Sequence, residues 1–268
     1  MILKPLAFLK RDLLIAISYK LNFFLQIGGI FISTVMFFFL SKLIGSGVSV
    51  QLQPYGGDYF AFVLIGIAFT DYLTVSLSSF AGEIRSAQMM GTLEALLVTP
   101  TSVRTILFSS SLYNFTFTSV RIFVYMIFGV LIFGMQLYVT SISALILIML
   151  LTILSFLSIG MISAFFIIVF KQGSPISWVI ATASGLLGGI LYPVSVLPEW
   201  LKPIAYLLPI THALEAIRQI LLNGASLAMV SDQVLILSLF AALLLPAGLI
   251  AFNYGLKIAK KEGSLIHY

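Results

Sequence analysis

The sequence has no cysteine, which excludes disulfides, thiol nucleophiles and cysteine metal sites. It is also short of charge. Asp, Glu, Lys and Arg make up 9% of its 268 residues, where an ordinary soluble domain carries roughly 25%. The nine acidic residues are scattered and form no D-x-x-D pair, so metal-assisted phosphoryl chemistry has no visible site. There are two histidines, His212 and His267. No G-x-x-x-x-G-K-[ST] run occurs, so no loop is built to cradle nucleotide phosphates.

What fills the chain instead is apolar. Hydrophobic residues account for 60% of it, with a mean hydropathy of +1.15. One soluble core of this size cannot hide so much apolar surface, because too few polar residues remain to cover it. The excess must face lipid. The net charge of +5 would suggest nucleic acid in a soluble protein. Here the basic residues stand at the ends of apolar runs, with no basic stripe interleaved with aromatics. That distribution orients a chain in a bilayer.

Six apolar runs are long enough to cross, at about residues 21–40, 59–81, 106–133, 142–170, 176–196 and 234–256, near the 20 residues a crossing needs. The first is longer than a signal-peptide core and is read as a retained span. Residues 1–20 place Leu3, Leu6, Leu9, Leu13 and Ile17 on one helical face with Lys4, Lys10, Arg11 and Lys20 around it, a pattern for an interfacial helix. Between the fifth and sixth runs, residues 197–232, Pro198, Pro203 and Pro209 cut the chain into apolar pieces too short to cross. Such pieces dip into a bilayer and return where protein surrounds them. Ten Lys and Arg fall on the side of the N-terminus and three, Lys42, Lys202 and Arg218, on the other. The positive-inside rule therefore puts both termini in the cytoplasm. One transmembrane domain over residues 1–268 is expected, with no internal repeat.

Three groups of residues carry the chemistry. The polar stretch over residues 82–104 holds Glu83, Arg85, Gly91, Thr92, Leu93, Glu94, Leu97, Thr99 and Pro100. Gly82 and Gly91 interrupt it, Thr92 can cap a helix with Glu94 in its first turn, and Pro100 suits the start of the next span. Leu93, Leu96 and Leu97 form an apolar edge that suits a groove on a partner, although an interfacial linker satisfies the same physics. Second, Asp71 and Arg121 lie inside the second and third runs, roughly 16 and 22 Å from their cytoplasmic ends. Charges in hydrocarbon must face protein or water, so the two either pair or line a hydrated path separately. Third, His212, Glu215 and Arg218 share a helical face. With His267 in the opposite tail, a multi-histidine zinc site is excluded, and hydrogen bonds that tie a re-entrant helix to the protein are expected. Gly28–Gly29 and Gly185, Gly188 and Gly189 form small faces for close packing, within the chain or at a homodimer seam. Tyr55, Tyr59 and Phe60 are read as ordinary membrane aromatics rather than sugar-stacking groups.

Two motifs resemble a known family. Glu83-x-Arg85 followed by Gly91-Thr92-Leu93-Glu94-x-Leu96-Leu97-x-Thr99-Pro100 looks like the signature of permease subunits of type-two ABC exporters, the branch for drugs, lipids and polysaccharides. Tyr192-Pro193, Leu197-Pro198 and then Leu207 to Arg218 resemble the same family's region before its last span. The resemblance covers essentially the whole chain. It implies a coupling helix at Glu83 to Pro100 that docks on a separate ATPase subunit. It further implies a re-entrant external gate that includes Pro193, Pro198, Pro209, His212, Glu215 and Arg218. Two copies of the chain would pair with two ATPase subunits. ATP and Mg would sit on the partner, and this chain would hold no cofactor, metal, catalytic residue or nucleic acid. The expected fold is all-α, multi-pass and located in the cell membrane, with function as the permease of an ATP-driven exporter. An intramembrane lipid-linked transferase and a secondary transporter are the competing readings.

Overall fold

Helices account for the regular structure of the described residues, which in this computed structural model are 7, 10–11, 13–14, 18–45, 49–89, 103–170 and 175–261. In chain order they are α1 (Lys20–Ile44), α2 (Ser49–Leu52), α3 (Tyr59–Met89), α4 (Val103–Leu131), α5 (Ile142–Phe170), α6 (Pro175–Leu187), α7 (Lys202–Tyr206), α8 (Pro209–Asn223) and α9 (Ser231–Lys261). Single 3-10 turns sit at Gln53–Tyr55 and Val194–Val196. Five helices, α1, α3, α4, α5 and α9, are long and apolar enough to cross a membrane. The expected interfacial helix at residues 1–20 falls mostly outside the described residues.

The 29 uncharged residues of α5 stand at the centre, packed against α3, α9 and α8. Small residues set those seams. A Cβ on Gly160 would overlap the Ser76 carbonyl of α3, and one on Gly248 would lie 2.7 Å from the Ser158 carbonyl. Ser76 donates its hydroxyl to the Phe156 carbonyl across the α3–α5 seam. In a bilayer, close backbone approach of this kind replaces the hydrophobic drive of a soluble core. The outer helices show the complementary pattern. On α1 only Ile30 and Thr34 are buried, while Leu21, Phe24, Ile32 and Leu43 point outward. Apolar groups facing lipid need no protein cover.

Two boundaries differ from those expected. Gly82 does not interrupt the second span, and α3 runs unbroken through it to Met89. One glycine in a helix costs about 1 kcal/mol, and the following Glu, Arg, Ala, Gln and Met are good helix formers. The fifth run is the second difference. It is helical for 13 residues, Pro175–Leu187, about 20 Å at 1.5 Å per residue, short of a hydrocarbon core of about 30 Å. The helix stops at Gly188–Gly189, where Gly189 has φ +76, a region that favours glycine, and Pro193 follows.

The glycine faces also divide. Gly188 makes a close approach, since a Cβ there would lie 2.7 Å from Ile210 of α8. Gly28, Gly29 and Gly185 have no neighbouring heavy atom where a Cβ would stand. Packing within the chain therefore accounts for the first and not for the other three.

Candidate functional site

The proline-cut stretch folds into two short helices, and its prolines explain the cuts. Pro203 and Pro209 occupy first-turn positions of α7 and α8, where a missing N–H is harmless. Gly224, at φ +64, terminates α8 in the left-handed region. At 15 residues, α8 is about 22 Å long and cannot cross. It is nevertheless buried almost all round, with Glu215 and Gln219 half-buried and its last residue, Asn223, exposed.

At its centre Arg218 is 2% exposed. Its Nε and Nη2 donate to the Phe62 carbonyl of α3 at 3.1 and 2.9 Å. Its Nη1 donates to the Gly189 carbonyl at 2.6 Å, and Nη2 also to that of Ile190 at 3.0 Å. The guanidinium carbon lies 3.4 Å from the centroid of the Phe62 ring. The cation thus takes up carbonyls left over where the chain breaks after α6. Irregular backbone inside a membrane protein is tolerable only when its polar groups are met this way. Gly66 makes room for the arrangement, since a Cβ there would overlap the Ile190 carbonyl and lie 2.7 Å from Arg218 Nη2.

One turn earlier on α8, Glu215 accepts from the Tyr55 hydroxyl at 2.5 Å and from Gln219 Nε2 at 2.9 Å. Burial, and then the charge of Glu215, push the Tyr55 phenol well above its ordinary value, so it stays protonated and donates. Asn223 Nδ2 donates to the Pro54 carbonyl at 2.5 Å, a second tie between α8 and the loop after α1. His212 Nε2 lies 2.8 Å from the Tyr206 carbonyl. A carbonyl can only accept, so that nitrogen carries the proton. Thr211 donates to the Ala205 carbonyl at 2.7 Å. His212, Glu215 and Arg218 are therefore all engaged, each with a different part of the chain. Pro193 and Pro198 flank the turn at Val194–Val196 and its buried neighbour Leu197.

A second charged feature lies between α3 and α4. Arg121 Nη2 stands 2.9 Å from Asp71 Oδ2, with the side chains 31% and 23% exposed. Asp71 is 18 residues before the end of α3 and Arg121 is 18 after the start of α4 (89 − 71 and 121 − 103). Both are about 27 Å from the α3–α4 connection. The 6 Å offset expected from the apolar runs is absent because both helices extend beyond those runs. Asp71 Oδ2 and Arg121 Nε are buried without an aligned hydrogen bond, so the contact is ionic rather than a fitted fork.

The sequence model of the ABC-2 type transporter family matches residues 6–222. The chain belongs to this family. It is the membrane permease of an ABC transporter, a multi-pass protein with several apolar spans. No curated protein matches the chain. The match spans both charged features and the polar stretch after α3. Within that stretch of the permease, Glu83 and Arg85 lie on the backbone of α3, while Gly91, Thr92, Leu93, Glu94, Leu97, Thr99 and Pro100 lie outside the described residues.

Several participants were not visible in the sequence. Phe62, Gly66 and Ile190 meet Arg218 from positions far off in the chain, and Tyr55, expected as an ordinary membrane aromatic, bonds Glu215. The available signals were Gly66 inside an apolar run and a lone arginine among the residues after the prolines.

Proposed function

We propose that this permease exports a drug-, lipid- or polysaccharide-type substrate, driven by a separate ATPase subunit that engages the segment from Glu83 to Pro100. The carrying observation is that α3 continues nine residues past the end of its apolar stretch, from Phe80 to Met89. That is about 14 Å of helix, enough to bring Glu83 and the following motif clear of the hydrocarbon. Movement of a docked partner is then transmitted along α3 to Asp71 and its pairing with Arg121.

Six crossings, with both termini in the cytoplasm, follow if the fifth is a broken one. The 13 residues of α6 supply about 20 Å, and the stretch after Leu187 supplies the rest. That stretch is shielded, since Gly188, Gly189 and Ile190 are buried and two of its carbonyls are bound by Arg218. On this topology α7 and α8 form a re-entrant gate on the outer side. Gly28, Gly29 and Gly185, open in the single chain, offer close-packing faces to a second copy.

The test is co-purification of the permease with a Walker-motif subunit, and substrate-stimulated ATP hydrolysis by the reconstituted pair. Changing Glu94 and Leu97 together to Ala is expected to abolish stimulation and release the partner. If the double variant retains both, the docking role of this segment is wrong.

A further inference from the structure

Between α8 and the first half of α9 lies a cavity of about 610 Å³, within the 300–1,000 Å³ of small-molecule sites. One wall follows α9 from Gln233 to Leu243, ten residues or about 15 Å. The wall changes character along its length. Gln233 stands at the end nearer the α8–α9 connection, whereas Leu239, Phe240 and Leu243 line the part deeper in the span. Glu215, Tyr55, Ser195, Tyr206, Thr211 and His212 supply further polar lining. Leu239 and Leu243 are also 55% and 63% exposed, so the apolar part opens sideways through the outer surface of a spanning helix. On a helix that crosses a bilayer, such a surface meets acyl chains.

Glu215 is the one carboxylate in that lining. It accepts two hydrogen bonds, which leaves lone pairs on its oxygens. Among the described residues, no Lys or Arg nitrogen lies within ion-pair distance of Glu215. Arg218, one turn away, acts on Glu215 only through space; it turns its guanidinium to the carbonyls of Phe62, Gly189 and Ile190 and does not line the cavity. The Nε2 proton of His212 is spent on the Tyr206 carbonyl. An anionic head would therefore meet the carboxylate with no free cationic donor, whereas a donor head would satisfy its free lone pairs.

We infer that this cavity binds a single-chain amphiphile that enters from the membrane, with an ammonium or hydroxyl-bearing head at Glu215 and its chain along α9. The site goes beyond the export reading, since it needs neither the ATPase nor any particular cargo.

The test is equilibrium binding of tritiated hexadecylamine to the full-length permease in phosphatidylcholine nanodiscs, with an alkyl glucoside and palmitate as competitors. Saturable binding near one per chain is expected, displaced by the glucoside and not by palmitate. Glu215→Gln should weaken amine binding by about tenfold, and Ile236→Trp, which fills the chain-binding part, should remove it. Melting temperature and gel-filtration profile report whether each variant is folded. If loss of the Tyr55 bond unfolds Glu215→Gln, Ile236→Trp, which leaves that bond intact, carries the test alone. Binding that does not saturate, that survives Ile236→Trp in a folded variant, or that palmitate displaces as well as the glucoside overturns the assignment.

Discussion

Two arginines are placed in the interior of this permease, and they are neutralised in different ways. Arg121 faces a carboxylate, Asp71, on the adjacent helix, and the pair keeps a fifth to a third of its side-chain surface exposed. Arg218 is fully buried and has no carboxylate in contact; it is held by four hydrogen bonds to main-chain carbonyls and by a ring face. The first arrangement needs only two side chains at one level. The second needs a helix break, a glycine to admit it and a second helix to supply a carbonyl. An ion pair can therefore be separated and re-formed as helices slide, whereas the Arg218 cluster is tied to one backbone geometry. In functional terms, Asp71–Arg121 suits a moving part and Arg218 a fixed one.

The sharpest way to break this contrast is at Arg218. Arg218→Met removes all four hydrogen bonds and leaves the Gly189 and Ile190 carbonyls without that donor, and hydrogen bonds to charged groups contribute about 1.5–3 kcal/mol each. A loss of about 5 kcal/mol or more is expected, seen as failure to accumulate folded protein in the membrane. Arg218→Lys should rescue little, because a point-charge ammonium cannot reproduce the fork that reaches Phe62, Gly189 and Ile190.

Arg121→Ala comes next. It strands Asp71 and is expected to cost about 3 kcal/mol, read from thermal unfolding in detergent. The double change Asp71→Asn with Arg121→Gln should recover much of that stability, because neither charge is left unpaired. Transport is the discriminating readout. If the charge swap Asp71→Arg with Arg121→Asp restores transport lost in the single variants, the pair acts as a unit. No restoration would place the two groups on a path separately.

Gly66→Ala probes the fixed part without removing a charge. The added methyl meets the Ile190 carbonyl and Arg218, and overpacking of this sort costs about 1–3 kcal/mol. Tyr55→Phe is the mildest, at about 1 kcal/mol, since it removes one hydrogen bond to Glu215 and leaves Gln219 in place. A larger loss from Tyr55→Phe than from Gly66→Ala would mean that α8 is held mainly by the loop after α1 rather than by Arg218.

The spans were legible because hydrocarbon makes a blunt demand. About 20 uncharged residues in a row identify α1, α5 and α9 almost regardless of neighbours. The cutting of residues 197–232 into short helices was equally legible, because proline acts locally. The end of α6 was not. Gly188–Gly189 reads as a packing face in an apolar run, and only the carbonyl–Arg218 contacts show that the helix stops there. Gly82 failed in the opposite direction, since a lone glycine signals a break but does not force one. Asp71 and Arg121 were each legible as costly groups that need company. Their equal depth depends on how far α3 and α4 extend past their apolar cores.

By itself, the sequence determined that this chain lives in a membrane, roughly where it crosses, and the family its motifs resemble. Each of these rests on local composition or on short contiguous motifs. The tertiary structure alone decided which residues answer Arg218, why Gly66 is small and where Tyr55 points. The reason is that Phe62, Ile190 and Arg218 lie far apart along the chain. A buried guanidinium states the need for partners, and only the packing of α3, α8 and the break after α6 selects them.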